Sequence, residues 1–134
     1  MLDRLQSLFD RQTYGTQAEL EALVEFVLFV EFADHHVHEL EHEQLARELE
    51  SLPWQGVRPA SAWAQTAVAR VRRAMEAGAE AVDEALDDVA GRLENDDMRR
   101  GVTLACERMA AADGVTNDAE RAMLARIAAH VKAR

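Results

Sequence analysis

Four of the five histidines in this chain are clustered with carboxylates in one short segment, residues 34–42. Imidazole and carboxylate groups are ligands that zinc, nickel and copper take in proteins. If the segment enters a helix, His38 and His42 lie one turn apart on the same face, and a third side chain of the segment can complete the shell. We therefore expect a divalent metal, zinc, nickel or another, at these residues: Asp34, His35, His38, Glu41 and His42. The alternative is a solvated helix start that binds nothing.

Residues 38–42 also match the H-E-x-x-H pattern of zinc metalloproteases, in which two histidines hold zinc and the glutamate activates water. A protease needs a third protein ligand and an apolar helix around the motif. Here the motif opens a helix directly after a loop, and a charged Glu41 lies inside it. A small zinc hydrolase with Glu39 as the base is therefore a third, disfavoured hypothesis.

The acidic pair of this segment recurs later in the chain. Asp113 follows Asp34 by 79 residues, and Glu120 follows Glu41 by the same number. The apolar residues upstream of both pairs align at the same offset. The pattern predicts a duplicated unit of helix, acidic loop and second helix, so Asp113 and Glu120 join the candidate metal ligands. The alternative is that all four acids close loops, because an Asp after a helix and a Glu in a first turn can bond backbone amides.

The elements that must position these residues are all predicted to be helices, because no window alternates apolar and polar residues and glycine and proline are scarce. The second helix is apolar on nearly every side, which predicts that protein surrounds it. Ser61 is expected to cap the fourth helix, and Asn95 or Asp96 the sixth. Seven segments are predicted, at about 2–10, 16–33, 38–52, 62–77, a fifth after Gly78 that carries Val82, Leu86, Val89 and Leu93, and then 96–112 and 118–131. The pattern leaves open whether Gly78 is a break or a kink.

The 134 residues suit a single domain, 1–134, with one core. The first repeat covers about residues 16–52 and the second about 96–133, and a Pro/Gly-bearing connection at 53–60 divides the two halves. We expect the repeats to be related by pseudo-twofold symmetry around two central helices. Trp54 and Trp63, which flank the connection, are expected to pack at a helix junction.

The net charge of −10 disfavours binding to nucleic acid or to an anionic membrane surface, and it favours cations or a basic partner. No apolar run is long enough to cross a bilayer, and residues 1–4 do not begin a secretion signal, so we expect a cytoplasmic protein. Cys106 is predicted to be a buried apolar residue. Two basic islands, around Arg70 and at Arg99 and Arg100, are expected to be solvated or salt-bridged, with docking of an acidic partner left open.

Residues 109–127 resemble the signature of the tellurite-resistance TerB-like family: A-A-D-G at 111–114, then Glu120-Arg121 followed by Leu124. Residues 32–45 are similar to a first copy, although His35 stands where the family usually has glycine. The resemblance implies a seven-helix, all-α fold of two repeats, found in bacterial stress-response systems. It also implies a non-enzymatic role, with metal binding through the acids Asp34, Glu41, Asp113 and Glu120 and association with other resistance proteins.

The leading hypothesis is a non-catalytic domain that binds a divalent cation at the acidic, histidine-rich loop of the first repeat and binds a partner protein of a stress or resistance system. The alternative is a protein-interaction module without metal, in which the acids serve as helix caps.

Overall fold

The computed structural model describes residues 17–33, 46–47, 49–50, 54–113 and 118–132, and for residues 108–113 the backbone alone. This part of the chain contains five helices and no strand, which confirms the all-α class there. The predicted helices at 2–10 and 38–52 lie mainly outside it, although residues 46, 47, 49 and 50 have helical backbone. The count of seven helices and the pseudo-twofold relation stay predictions. The helices are α1 (Gln17–Ala33), α2 (Ala60–Ala77), α3 (Ala79–Gly91), α4 (Asp96–Asp113) and α5 (Asp118–Lys132).

Helix α1 lies at the centre of these elements, as its all-round apolar sequence predicts. Every residue from position 22 to position 30 is buried, and the helix packs against all four of the others. Burial of three phenylalanines on one helix removes a large apolar area from water, which is the main favourable term for this core. They are Phe26, Phe29 and Phe32.

Helices α2 and α3 are separated by Gly78, whose φ of 114° lies in a region that L side chains rarely adopt. Each helix buries one apolar stripe, as predicted, including Trp63 and Val71 on α2 and Leu86 on α3. The predicted cap at Ser61 is wrong. Helix α2 begins at Ala60 after Pro59, without a side-chain cap, because the proline ring presets a φ of −57° at the residue before the helix.

Helix α4 begins where the sequence predicts. The Met98 backbone amide donates to Asn95 Oδ1 over 2.9 Å, so Asn95 is the cap. Helix α4 comes close to α1 at Gly101, where a Cβ would lie 3.1 Å from Glu19 Oε1. The bounds of α4 and α5 agree with the predicted ones to within a residue or so, with Asp113 as the last residue of α4.

Trp54, in the connection before α2, packs against Trp63 of α2 and holds the connection in place. Trp54 and Trp63 pack with ring centroids 5.3 Å apart, and the Trp54 indole donates to the Arg58 carbonyl over 2.9 Å. The Gln55 amide donates to Gln17 Oε1, which ties this loop to the start of α1. The predicted packing role of both tryptophans is confirmed. No helix in the described ranges is long and apolar enough to cross a membrane.

Helices α1 and α4, which the 79-residue offset aligns, bury the same stripe but differ on the opposite face. Leu104 is 43% exposed on α4, whereas its counterpart on α1, Glu25, is fully buried. Glu107 is likewise exposed and Leu28 buried. The shared stripe consists of Leu23, Phe26 and Val27 on α1 and Val102, Ala105 and Cys106 on α4.

Candidate functional site

The predicted metal ligands of the first repeat lie outside the described residues. Asp113 is the last helical residue of α4, and its side chain is also outside them. Glu120 is therefore the one predicted ligand whose side chain has a described position. The residues outside are Asp34, His35, His38, Glu41 and His42.

Glu120 lies in the first turn of α5 and is 4% exposed. Carboxylates are rarely buried to this extent unless something compensates their charge. The amino end of a helix does so in part, because its unpaired amides and the helix dipole favour negative charge. The neighbouring Asp118, by contrast, is fully exposed. The local structure thus stabilises the carboxylate that the duplicated pattern identifies, as both a capping role and a ligand role require.

The described residues do not by themselves form a metal centre. Within them, no three His, Cys, Asp or Glu side chains are grouped so that they could hold a metal ion. The proposed site therefore depends on the segment 34–42, which follows directly after the last residue of α1.

A second cluster of charges, which the sequence analysis missed, surrounds Glu25 in the middle of α1. Its carboxylate is fully buried. It forms an ion pair with Arg70 of α2, and Arg92 Nη1, just after α3, donates to Glu25 Oε2 over 3.2 Å. Arg92 also binds Asp88 over 2.8 Å. One carboxylate thus links three helices. We name Glu25, Arg70 and Arg92 the Glu25 cluster.

The electrostatics of the Glu25 cluster follow from its unequal burial. The side chains of Arg70 and Arg92 are 38% and 36% exposed, so their outer atoms reach water while Glu25 does not. Burial, with the nearby Arg92 guanidinium, lowers the pKa of Arg70. The sequence carried a signal for this cluster, because a charged residue inside an otherwise apolar helix must find a partner of opposite charge.

A third group of charged side chains joins α3 to α5. Asp83 Oδ1 accepts from Arg126 Nη2 over 2.7 Å and lies 3.2 Å from His130 Nε2. Arg126 also donates to the Ala79 carbonyl over 3.0 Å. The hydrogen bonds from Arg126 and His130 lower the pKa of Asp83. This arrangement connects two helices and does not resemble a reaction centre, because Arg126 already binds the carboxylate. We name Asp83, Arg126 and His130 the clasp between α3 and α5.

The remaining candidates from the sequence have structural explanations. Cys106 is buried, as predicted, and burial raises the pKa of its thiol to about 12, so it is protonated and unreactive at neutral pH. The Arg72 guanidinium lies 6.0 Å from the centre of the Phe32 ring. Arg99 and Arg100 pair with Asp96 and Asp97, which confirms the predicted salt-bridged surface.

Comparison with protein-family models, with curated proteins and with solved structures finds no match. The similarity of residues 32–45 and 109–127 to the TerB-like signature therefore stays a prediction from the sequence.

Proposed function

We propose that this chain is a non-enzymatic, TerB-like stress-response domain that binds a divalent metal cation at its acidic, histidine-rich loop and binds a partner protein. The single observation that carries the metal half is the density of ligand side chains in residues 34–42, directly after the most deeply buried helix. A ligand segment attached to a rigid element loses less entropy on binding than one within a long flexible chain.

Glu120 supports a contribution from the second repeat. Its side chain is nearly buried, and its helix, α5, packs against α1, whose last residue precedes the histidine-rich segment. Asp113 ends α4, which also packs closely on α5. Two acidic loops at the ends of mutually packed helices can serve one cation, so we assign Asp34, Glu41, Asp113 and Glu120 to the same site as His35, His38 and His42.

The test begins with the metal content of protein purified without a histidine tag, followed by titration of zinc, nickel, manganese and calcium into stripped protein. We expect about one transition-metal ion per chain, lost in the His38→Ala/His42→Ala variant at unchanged helix content. The matched control is His130→Ala, which removes the one histidine outside the segment and should leave binding intact. No binding at micromolar metal would refute the metal half of the proposal.

The second candidate is a protein-interaction module without metal, which the position of Glu120 in the first turn of α5 favours, since first-turn acids commonly cap helices. Glu120→Gln separates the two. If Glu120 is a ligand, the variant should bind metal about tenfold or more weakly. If it only stabilises the helix start, metal binding is unchanged, and the free energy of unfolding falls by about 0.3–1 kcal/mol, because Gln can keep the capping hydrogen bond but loses the negative charge at the amino end of α5.

The third candidate, a zinc hydrolase, has a direct test. If the zinc-loaded protein hydrolyses peptides and the Glu39→Gln variant does not, the protein is a zinc hydrolase, because the motif assigns the water-activating role to that glutamate. We expect no turnover from either protein.

A further inference from the structure

The imidazole of His130, in the last turn of α5, lies between two carboxylates of α3. Its Nε2 atom is 3.2 Å from Asp83 Oδ1, and its Nδ1 atom is 3.8 Å from Asp87 Oδ1. Asp83 and Asp87 are one helical turn apart on the same face of α3, so one ring reaches both of them. The His130 side chain is 24% exposed and the two carboxylates are about half exposed, so the ring is the more buried partner.

A neutral imidazole cannot satisfy both of these carboxylates. It carries one N–H, and its other ring nitrogen is an acceptor. When Nε2 donates to Asp83, the lone pair of Nδ1 faces the Asp87 carboxylate, and two acceptors repel each other. An imidazolium carries two N–H groups and a positive charge, so it donates to Asp83 and attracts Asp87 at the same time.

The other charges around the ring decide which protonation state the folded chain favours. Arg126 binds the same Asp83 and opposes a second positive charge there. Both carboxylates of α3 favour that charge, and so do the unpaired carbonyls at the carboxyl end of α5. Lys132, also in the last turn, lies beside α4. Helices α1 and α4 pack on α5 too, but neither brings a described charged group into ionic contact with His130. The surroundings therefore favour the imidazolium.

We infer that His130 is a pH-sensitive latch, which fastens the end of α5 to Asp87 of α3 in mildly acidic solution and releases it at higher pH. Histidine is the side chain that ordinarily changes charge between about pH 5 and pH 8. Arg126 stays bound to Asp83 across this range, so the clasp persists and the contact with Asp87 is what changes. Because the folded chain favours the protonated ring, the added stability is present at low pH and is lost as the pH rises through the titration of His130. The latch is independent of the proposed metal site, because His130 lies outside the histidine-rich segment.

The test is urea unfolding at about pH 8 and about pH 5.5, a range above that in which aspartates ordinarily take up protons. EDTA in both solutions keeps metal off the four other histidines. We expect acidification to lower the unfolding equilibrium constant of the parent at least about threefold relative to that of His130→Gln, which keeps an N–H donor but cannot take up a proton. In the Asp87→Asn background, the same substitution of His130 should change this ratio less than about 1.5-fold.

Glu84→Gln is the matched control, because it removes one negative charge from the same helix, and it should keep the full response. NMR of the folded chain over the same pH range gives a second readout, in which protonation of His130 should shift the α3 amides around Asp87, and His130→Gln should not show these shifts. Equal responses of the parent and His130→Gln would overturn the inference. So would a response lost as fully in Glu84→Gln as in Asp87→Asn, or shifts confined to α5. Metal binding by His130→Gln reports on the proposed function separately and should be unchanged.

Discussion

Removing different side chains of the Glu25 cluster should lower the free energy of unfolding by different amounts, because the carboxylate is fully buried while both arginines reach water. Removing the arginines leaves a buried charge without compensation, so Arg70→Met/Arg92→Met should lower the free energy of unfolding by about 3–5 kcal/mol. Removing the carboxylate leaves arginines that can hydrate, so Glu25→Met should lower it by less than about 2 kcal/mol. Urea unfolding at neutral pH measures both values.

The triple variant Glu25→Met/Arg70→Met/Arg92→Met is the control for this asymmetry. It should be more stable than the double arginine variant, because it no longer buries an unpaired charge. If Glu25→Met proves as damaging as the double arginine variant, the loss comes from packing in the core and the electrostatic argument is wrong.

At the scale of single helices, the starts of α2 and α4 allow a controlled comparison, because only α4 has a side-chain cap. Asn95 accepts a hydrogen bond from the Met98 amide, whereas Ser61 lies inside a helix that begins at Ala60 without a side-chain cap. Asn95→Ala should therefore lower the free energy of unfolding by about 1 kcal/mol, and Ser61→Ala should change it by less than about 0.5 kcal/mol. Denaturant unfolding distinguishes them. A larger loss from Ser61→Ala would contradict the described start of α2.

The clasp between α3 and α5 should give stability a pH dependence of defined sign. Arg126 and His130 hold the pKa of Asp83 below its ordinary value, so the folded state favours the ionised carboxylate. This stability is present above the unfolded-state pKa of about 4 and is lost as pH falls through the lower folded-state value. The difference in unfolding free energy between the parent and Asp83→Asn should therefore shrink as the solution is acidified.

Glu84→Gln is the control for the clasp, because it removes one exposed negative charge from the same helix. Its effect on stability should be smaller than that of Asp83→Asn at neutral pH. If both variants show the same pH profile, the effect reflects net charge on α3, and the contacts with Arg126 and His130 contribute nothing specific.

The helices could be predicted well from the sequence because apolar periodicity and glycine or proline breaks are local signals. The spacing of Trp63, Val71 and Leu86 predicts the buried faces of α2 and α3, and the all-round apolar sequence of α1 predicts its central place. The sequence does not distinguish a helix that starts after a Ser61 cap from one that starts directly after Pro59, two residues earlier. The Glu25 cluster was missed because its members are 45 and 67 residues apart from Glu25, and only tertiary packing brings them together.

At the scale of the whole molecule, part of the candidate site is indicated by the sequence alone, and part depends on where the fold places a side chain. The ligand types come from the sequence of residues 34–42, whereas the burial of Glu120 is a property of α5 packed in the fold. The same division applies to the surface of α4. The sequence left open an acidic partner for Arg99 and Arg100, whereas their ion pairs with Asp96 and Asp97 and the exposure of Leu104 beside them are properties of the fold.

The central position of α1 has a consequence for how the chain unfolds. Every other described helix packs on α1, so none can leave without exposing part of one shared core. Unfolding by urea should therefore be a single transition, with the same midpoint by far-ultraviolet circular dichroism, which reports all helices, and by fluorescence of Trp54 and Trp63 near the start of α2. Phe29→Ala, at a residue that is 1% exposed, should lower the free energy of unfolding by about 3–5 kcal/mol and move both midpoints together. A fluorescence transition that precedes the loss of helix would mean that α2 separates from the core first, and α1 would then not couple the helices into one cooperative unit.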